Sequence, residues 1–348
     1  MGLRVGMTYD VKSQLPLRPG DPPDLNAEFD ADETISVIEE AIRGGGHETV
    51  RIGSARQLLE RLHTRDAVDI VFNIAEGLEG RNRESQVPIL LEMLRVPYVG
   101  ADGLTLGLTL DKVLTKKVLI AEGIPTPRFV EVQDPEQPWQ ADLHFPLIVK
   151  LRHEGSSKGL NDRSLVDTMD ELQRQVRWLI TTYKQPSLFV EEFIEGEEFT
   201  VALIGNEPPE VYPVVQITLD GETDLGRKFY TFAYLRAGAD YLCPAPIDAA
   251  LAQRLQELAL RTYRLVECRD FGRVDFRVDR QGRPYVLEIN PLPSLSTADV
   301  FPRVAQAKGM TYPQIINRIL DAALIRHRLN APTEASPRSL TPSPSPIT

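Results

Sequence analysis

FGRVDFRVDRQGRPYVLEINPLPSLS, residues 271–296, is the stretch whose reading decides the fold of this chain. It reads as two short strands joined by the turn Arg280-Gln281-Gly282-Arg283. Strand side chains alternate faces, which sends Arg273 and Asp275 to one side of the first strand and Glu288 and Asn290 to one side of the second. An Asp, a Glu and an Asn amide supply hard oxygen donors, which suit Mg²⁺ rather than zinc. Arg273 beside them can neutralise charge on a transferring phosphoryl group or an oxyanion. An ordinary hairpin with solvated charges on a half-exposed face fits the same letters. The rest of the chain has to decide.

At 348 residues the chain exceeds one simple core, and about two or three domains are expected. Its net charge of −11, with no basic stretch to offset it, argues against a nucleic-acid partner, although a local group of lysines and backbone N–H groups can still hold an anion. Cys243 and Cys268 are the only cysteines and sit in no CxxC or Cys/His cluster. That argues against a disulfide framework or a structural zinc site and fits a reducing compartment. The start, MGLRVGMTYD, reads as a strand and lacks the apolar run of a signal peptide. No stretch approaches the roughly 20 apolar residues of a membrane span. A cytoplasmic protein with no membrane partner is expected.

Working outward from the hairpin, Leu3 to Thr8 is a candidate strand, and 10–32 is a polar, Pro-rich loop. Loops longer than about a dozen residues are usually functional or unstructured, so this one is a substrate lid or slack. Ile35, Ile38 and Ile42 recur at helical spacing up to Gly44-Gly45-Gly46, and DIVFNI (69–74) reads as a buried strand. Asp111 can cap a helix, DKVLTKKVLIAEG, that Gly123 ends ahead of Pro125 and Pro127. Next come the strand LIVK (147–150), a glycine-containing loop, and an amphipathic helix through Met169, Leu172, Val176 and Leu179. The strands LFVEEFI and FTVALIG flank Glu195-Gly196-Glu197. Strands within 211–219 and a helix over 248–265 precede the hairpin, and Thr311-x-x-Gln314 reads as the capping box of a last helix. The expected division is an N-terminal α/β domain (1–105), a small central subdomain (106–205), a C-terminal subdomain carrying the metal site (206–330) and a Pro/Ser-rich disordered tail (331–348).

Lys150 ends an apolar strand and runs into RHEGSSKG, where Gly155, Ser156, Ser157 and Gly159 offer N–H groups and hydroxyls to phosphate oxygens. Neither a G-x-x-x-x-G-K-[ST] loop nor a G-x-G-x-x-G is present, and a plain flexible turn explains the segment as well. Lys112, read alone, is a solvated surface lysine. The acidic run from Glu191 to Glu198 reads as a solvated face by charge alone. Phe193 and Ile194 interrupt it between two strands, which suits a hinge whose backbone meets an adenine edge while a carboxylate meets ribose hydroxyls.

Together these segments resemble the ATP-grasp superfamily and, within it, the D-alanine–D-alanine ligase family. The likeness runs from about residue 69 to 328 and rests on VPYVGADGLTLGLTLDKVLTKKVLIAEGIPTP (96–127), VKLRHEGSSKG (149–159), FVEEFIEGEEFTV (189–201), the Cys243-Pro244-Ala245 step and RVDFRVDRQGRPYVLEINPLPS (273–294), in the family's order. It implies an α/β (α+β) ATP-grasp fold preceded by a Rossmann-like pre-ATP-grasp domain. It also implies ATP and Mg²⁺ as cofactors, with two ions and Mn²⁺ able to substitute. By the same resemblance, Lys112 and Lys150 hold ATP phosphates under a small loop that includes Glu154, Gly155, Ser156 and Ser157. Glu191 and Ile194 meet adenine, and Glu198 meets ribose. Asp275, Glu288 and Asn290 are the metal ligands, and Arg273, with Ser156 and Lys150, serves the chemistry. The implied reaction joins a small-molecule carboxylate to an amine through an acyl phosphate, and positioning and charge stabilisation do most of the work. Dimers are common in that family.

The departures lie in the amino-acid pockets. The family's Ser-x-Glu-Arg motif after the first strand is replaced by MTYDVKSQLP, and Glu76 stands where the family has His, in a segment turned basic by Arg81 and Arg83. The Lys that grips the second substrate's carboxylate falls on Ala233, beside Tyr234; the partner Ser falls on Asp299, and Ser294 replaces a Gly. An Asp facing a substrate carboxylate repels it, at a cost of about a few kcal/mol if desolvated. The nucleophile is therefore expected to lack that carboxylate or to enter in another orientation, unless Arg236 or Lys228 compensates. The alternatives are a genuine D-alanine–D-alanine ligase serving peptidoglycan and an idle nucleotide-binding protein. The second sits badly with the retained Lys112, Lys150, Asp275, Glu288 and Asn290.

Overall fold

The computed structural model describes residues 2–61, 67–132, 142–184, 187–237, 240–329 and 338–339. Its N-terminal part is a parallel sheet in the spatial order Glu48–Gly53, Arg4–Tyr9, Ile70–Ile74, Tyr98–Val99. Helix Asp32–Gly44 lays the expected Ile35, Ile38 and Ile42 against it and ends at the glycine run. Ligands in such sheets gather beyond the carboxyl ends of the strands. Here those ends feed the 10–32 segment and the 75–85 segment.

The middle of the chain forms an antiparallel sheet ordered Phe129–Val132, Leu188–Glu192, Leu147–Leu151, Leu165–Val166. Helix Met169–Tyr183 covers it through Leu172, Val176 and Leu179, and starts at a capping box of Thr168 and Glu171. The third sheet runs Asp240–Leu242, Val215–Thr218, Gly196–Ile204, Phe271–Asp279, Pro284–Asn290. Gly196–Ile204, grouped by sequence with the central segment, pairs along its whole length with Phe271–Asp279 in this sheet. LFVEEFI and FTVALIG are therefore not a hairpin, because the chain changes sheets between Glu192 and Gly196.

Helix Ala249–Leu265, capped by Asp248, buries Leu255, Leu258, Ala259 and Tyr263 on one face of the third sheet. The last helix, Tyr312–Arg326, opens on the predicted Thr311/Gln314 capping box and returns to the N-terminal core, where Ile315, Ile319 and Leu320 join Ile35 and Ile38. Arg326 closes that return on the fully buried Asp270 at 2.5 Å. Burial of this apolar surface, at roughly 25 cal/mol per Å², fixes the three sheets around one cavity. Of the predicted tail, only Arg338–Ser339 lie among the described residues, pairing antiparallel with Ala67–Val68.

Candidate active site

The hairpin is Phe271–Asp279 paired with Pro284–Asn290, and its register sets Arg273 opposite Asn290 and Asp275 opposite Glu288. The four polar side chains are thus cross-strand neighbours. Arg273 donates to both oxygens of Asp275 at 3.0 Å, and Asn290 Nδ2 donates to the same carboxylate at 2.9 Å. Lys112 meets Glu288 at 3.0 Å and donates to the Glu154 carbonyl at 2.7 Å, so helix Lys112–Ala121 binds hairpin and loop together. Asp111 caps that helix and is gripped by Arg152 at 2.7 and 2.8 Å.

The two hairpin carboxylates titrate in opposite directions. Burial opposes the charge on Glu288, but Lys112 and Lys150 outweigh it and hold its pKa down at about 2. Burial, helped by the charge on Glu288, raises Asp275 in spite of Arg273. Among the described residues no three or more His, Cys, Asp or Glu side chains form a metal cage. Two carboxylates and an amide are nevertheless the donors Mg²⁺ uses when waters and phosphates complete its shell, so the set fits.

On the far side of Lys112 one carboxylate sits between two ammonium groups. Glu191 is 2.6 Å from Lys150 and 2.7 Å from Lys116, which is only 1% exposed. Burial works against the Glu191 charge, yet the two lysines prevail and lower its pKa; burial likewise lowers that of Lys116. Two cations on one anion leave net positive charge there. Lys116 escaped the sequence reading, although its position four residues after Lys112 places both on one helix face. Beside this pair a slot of about 60 Å³ is lined by Lys150, Glu191, Ile194, Glu198, Phe229 and Arg277. Glu198 accepts from Arg277 at 3.2 Å, and that guanidinium lies 4.6 Å from the Phe193 ring centre.

Ser156 and Ser157 adopt φ of 49° and 54°, two successive left-handed residues without glycine's freedom. Such conformations cost about 1–3 kcal/mol each and persist where the surroundings enforce them. The enforcement comes from the long N-terminal loop. Glu28 accepts from Gly155 N at 2.5 Å, Arg83 donates to Glu28 at 2.7 and 2.9 Å and to the His153 carbonyl at 2.8 Å. Asp24 accepts from Gly159 N at 2.8 Å and from the Tyr183 hydroxyl at 2.7 Å. The 10–32 segment is therefore a cover latched to the serine loop. Neither Asp24 nor Glu28 was singled out by motif, and Arg83 was noted only as part of a basic segment, because their partners lie 55 to 159 residues away.

The main cavity, about 360 Å³, lies between hairpin, serine loop and N-terminal segments. Lys112, Gly155, Ser156, Ser157, Arg273, Asp275, Glu288 and Asn290 meet there, as do Glu76, Ser294 and Asp299. Asp299 caps helix Val300–Ala307 at 2.7 Å and stands 3.4 Å from Arg273. Tyr234 does not line the cavity, since its hydroxyl donates to Asp220 at 2.9 Å. Lys228 pairs with Asp220 and Glu222 at 3.3 and 2.9 Å, also away from it. The side chain of Arg236 lies outside the described residues.

Comparison with known proteins places this geometry in a lineage. Residues 118–321 match the family model described as D-ala D-ala ligase C-terminus. The chain is 40% identical over 305 residues to an uncharacterized protein, y4sG, of Sinorhizobium fredii, covering 85% of this chain and 88% of that one. It is 33% identical over 298 residues to a D-alanine–D-alanine ligase of Carboxydothermus hydrogenoformans, covering 82% and 91%. Its fold is similar to that of a D-alanine–D-alanine ligase from Bacillus anthracis solved with ATP, at TM-score 0.73 and 23% identity over 95% of this chain and all of the other. Among the described residues no helix is long and apolar enough to cross a membrane.

Proposed function

The chain belongs to the D-alanine–D-alanine ligase family, and from that premise we propose a ligase whose substrate pair is not two D-alanines. It is an ATP-dependent enzyme that forms a C–N bond. Lys112, Lys150 and the Gly155–Ser157 loop hold the nucleotide phosphates, Glu191 and the Ile194 backbone meet adenine, and Glu198 meets ribose. Asp275, Glu288 and Asn290 would hold Mg²⁺, whose chemistry here is to neutralise charge on phosphate oxygens. A substrate carboxylate oxygen attacks the γ-phosphorus, and the bond to ADP breaks. An amine then attacks the acyl carbon, and phosphate leaves. Arg273, at the meeting of Asp275 and Asp299, is the cation nearest the acyl oxygens and steadies their charge.

One observation carries the substrate reading. Among the described residues, the cavity's basic side chains are Lys12, Lys112 and Arg273. Lys112 is committed to Glu288, Arg273 to Asp275 and Asp299, and Lys12 is exposed at the rim. An incoming α-carboxylate finds no cation reserved for it and meets Asp299 instead. The test is a matrix of carboxylic acids and amines with Mg²⁺ and ATP, read by phosphate release and mass spectrometry. Amide products other than D-alanyl-D-alanine are expected, and efficient formation of that dipeptide overturns the reading.

A further inference from the structure

The cavity wall facing the hairpin carries more carboxylate than the chemistry uses. Seven carboxylates line the cavity against three basic side chains. Asp275, Glu288 and Asp299 answer Arg273 and Lys112, and Glu28 is held by Arg83. Asp30, Glu76 and Glu84 remain. Glu84 is the telling member. It lies in the short 3-10 turn Arg83–Ser85, is only 8% exposed, lines the cavity, and takes neither a hydrogen bond nor an ion-pair contact from the described residues. Among the described residues, Asp30 and Glu76 accept no side-chain hydrogen bond either.

Burial raises all three, to about 8 for Glu84 and about 7 for Asp30, and raises Glu76 well above the carboxylate range, with the charges of Glu84 and Glu28 adding to it. Acids that are buried, as Glu84 is, or half-buried, as Asp30 and Glu76 are, and that repel one another are costly to ionise, and an added cation offsets that cost. Phe29, Ile74 and Ile217 line the same cavity and offer apolar surface suited to methylene groups.

Resting on the ligase reading above, we propose that the amine substrate is an aliphatic diamine or polyamine: one ammonium sits among Asp30, Glu76 and Glu84, and a second nitrogen reaches the acyl centre beside Arg273. That nitrogen, as the neutral amine, forms the C–N bond with its lone pair. The acyl C–O bond breaks, and its electron pair leaves with phosphate, which takes up the proton the nitrogen sheds. A simple α-amino acid brings one ammonium together with a carboxylate, which offsets the positive charge these acids need beside them to ionise.

Calorimetric titration of the full chain with 1,4-diaminobutane, n-butylamine and D-alanine, in the presence of Mg²⁺ and a non-hydrolysable ATP analogue, tests the site without turnover. The diamine is expected to bind at least about tenfold more tightly than butylamine, which has the same carbon chain and one charge fewer. Glu76→Gln combined with Glu84→Gln is expected to erase that preference while the analogue still binds, which shows that the variant is folded. Equal binding of the two amines, or a preference that survives the double substitution, overturns the site. Mass spectrometry of turnover mixtures separates this from the ligase reading. Amides formed equally well from butylamine or D-alanine overturn the diamine assignment and leave the ligase standing. A diamine that binds but never enters an amide with any carboxylic acid in the matrix counts against the ligase reading and overturns the bound amine as nucleophile.

Discussion

The two walls of the main cavity are built on opposite principles. On the hairpin wall every carboxylate meets a cation at hydrogen-bonding distance, Glu288 with Lys112 and Asp275 with Arg273, and the neighbouring Glu191 meets two lysines. On the N-terminal wall Asp30, Glu76 and Glu84 stand without one at that distance among the described residues. A matched wall keeps its shape whatever occupies the cavity. An unmatched wall is complete only with a ligand of the missing sign. On the proposed reading, the paired wall serves the reaction and the unpaired wall the substrate.

The sharpest way to break this division is to remove a member of the paired wall. Lys150→Met and Glu288→Gln are each expected to lower ATP turnover by about 10²–10³ or more, since the first removes a cation from the reacting phosphates and the second weakens the hold on Mg²⁺. ADP release with the best acid and amine pair measures this. Turnover within threefold of the unaltered chain in either variant breaks the assignment.

Next in size is Arg83, which joins the walls. It is 5% exposed and holds Glu28 at 2.7 Å and Glu154 at 3.4 Å. Breaking a buried pair by deleting one partner costs about 3–5 kcal/mol, so Arg83→Met is expected to lower stability by that order in a denaturant titration. Arg83→Lys recovers only part, because an ammonium cannot span both Glu28 oxygens and the His153 carbonyl.

A smaller effect probes the unpaired wall by pH. The folded chain holds protons on Asp30 up to about 7 and on Glu84 up to about 8, whereas the unfolded chain releases them in the ordinary carboxylate range. Native protein then binds more protons than unfolded protein between those limits, and stability falls as pH rises from about 5 to 8. The charges facing Glu84 are Arg83, Glu28, Lys112, Glu154 and Glu76; those facing Asp30 are Lys12, Asp299 and Glu76. Asp30→Asn with Glu84→Gln is expected to flatten the decline in melting temperature over pH 5.5 to 8.5. A slope unchanged by the pair of substitutions argues that the two acids are already balanced.

How much of this was legible in the sequence follows the same line. The paired wall was readable because its partners share short elements: Arg273 with Asp275 by a strand period of two, and Glu288 with Asn290 by the same period. The hairpin register then brought the two pairs together. The serine loop was readable from its glycines and its strand. The central boundary was not, since apolar strands carry no mark of which sheet they join, and Gly196–Ile204 went to the larger one. Nor was the N-terminal wall. Asp24, Glu28 and Glu84 lie in loops where charge reads as solvated, and only the tertiary fold brings them to Gly159, Gly155 and the cavity. The expectation that Tyr234 faces the substrate rested on counting back from Cys243, and its hydroxyl turns to Asp220 instead.

The smallest change distinguishes two accounts of the cover itself. Asp24 accepts from Tyr183 and from Gly159 N, while Glu28 accepts from Arg83 and Gly155 N. Charge-assisted bonds are roughly twice as strong as neutral ones, and the Arg83 pair is charged on both sides. Glu28 should therefore hold the cover, with Asp24 trimming it. Tyr183→Phe deletes one neutral donor and leaves the Gly159 bond, so a loss of about 1 kcal/mol is expected, with ATP turnover within about threefold. Amide hydrogen exchange over 10–32 reads the effect directly, as modestly faster exchange near Asp24 and no change near Glu28. If exchange instead accelerates along the whole segment, as it should in Arg83→Met, then Asp24 is the anchor and the cover closes from the Tyr183 side.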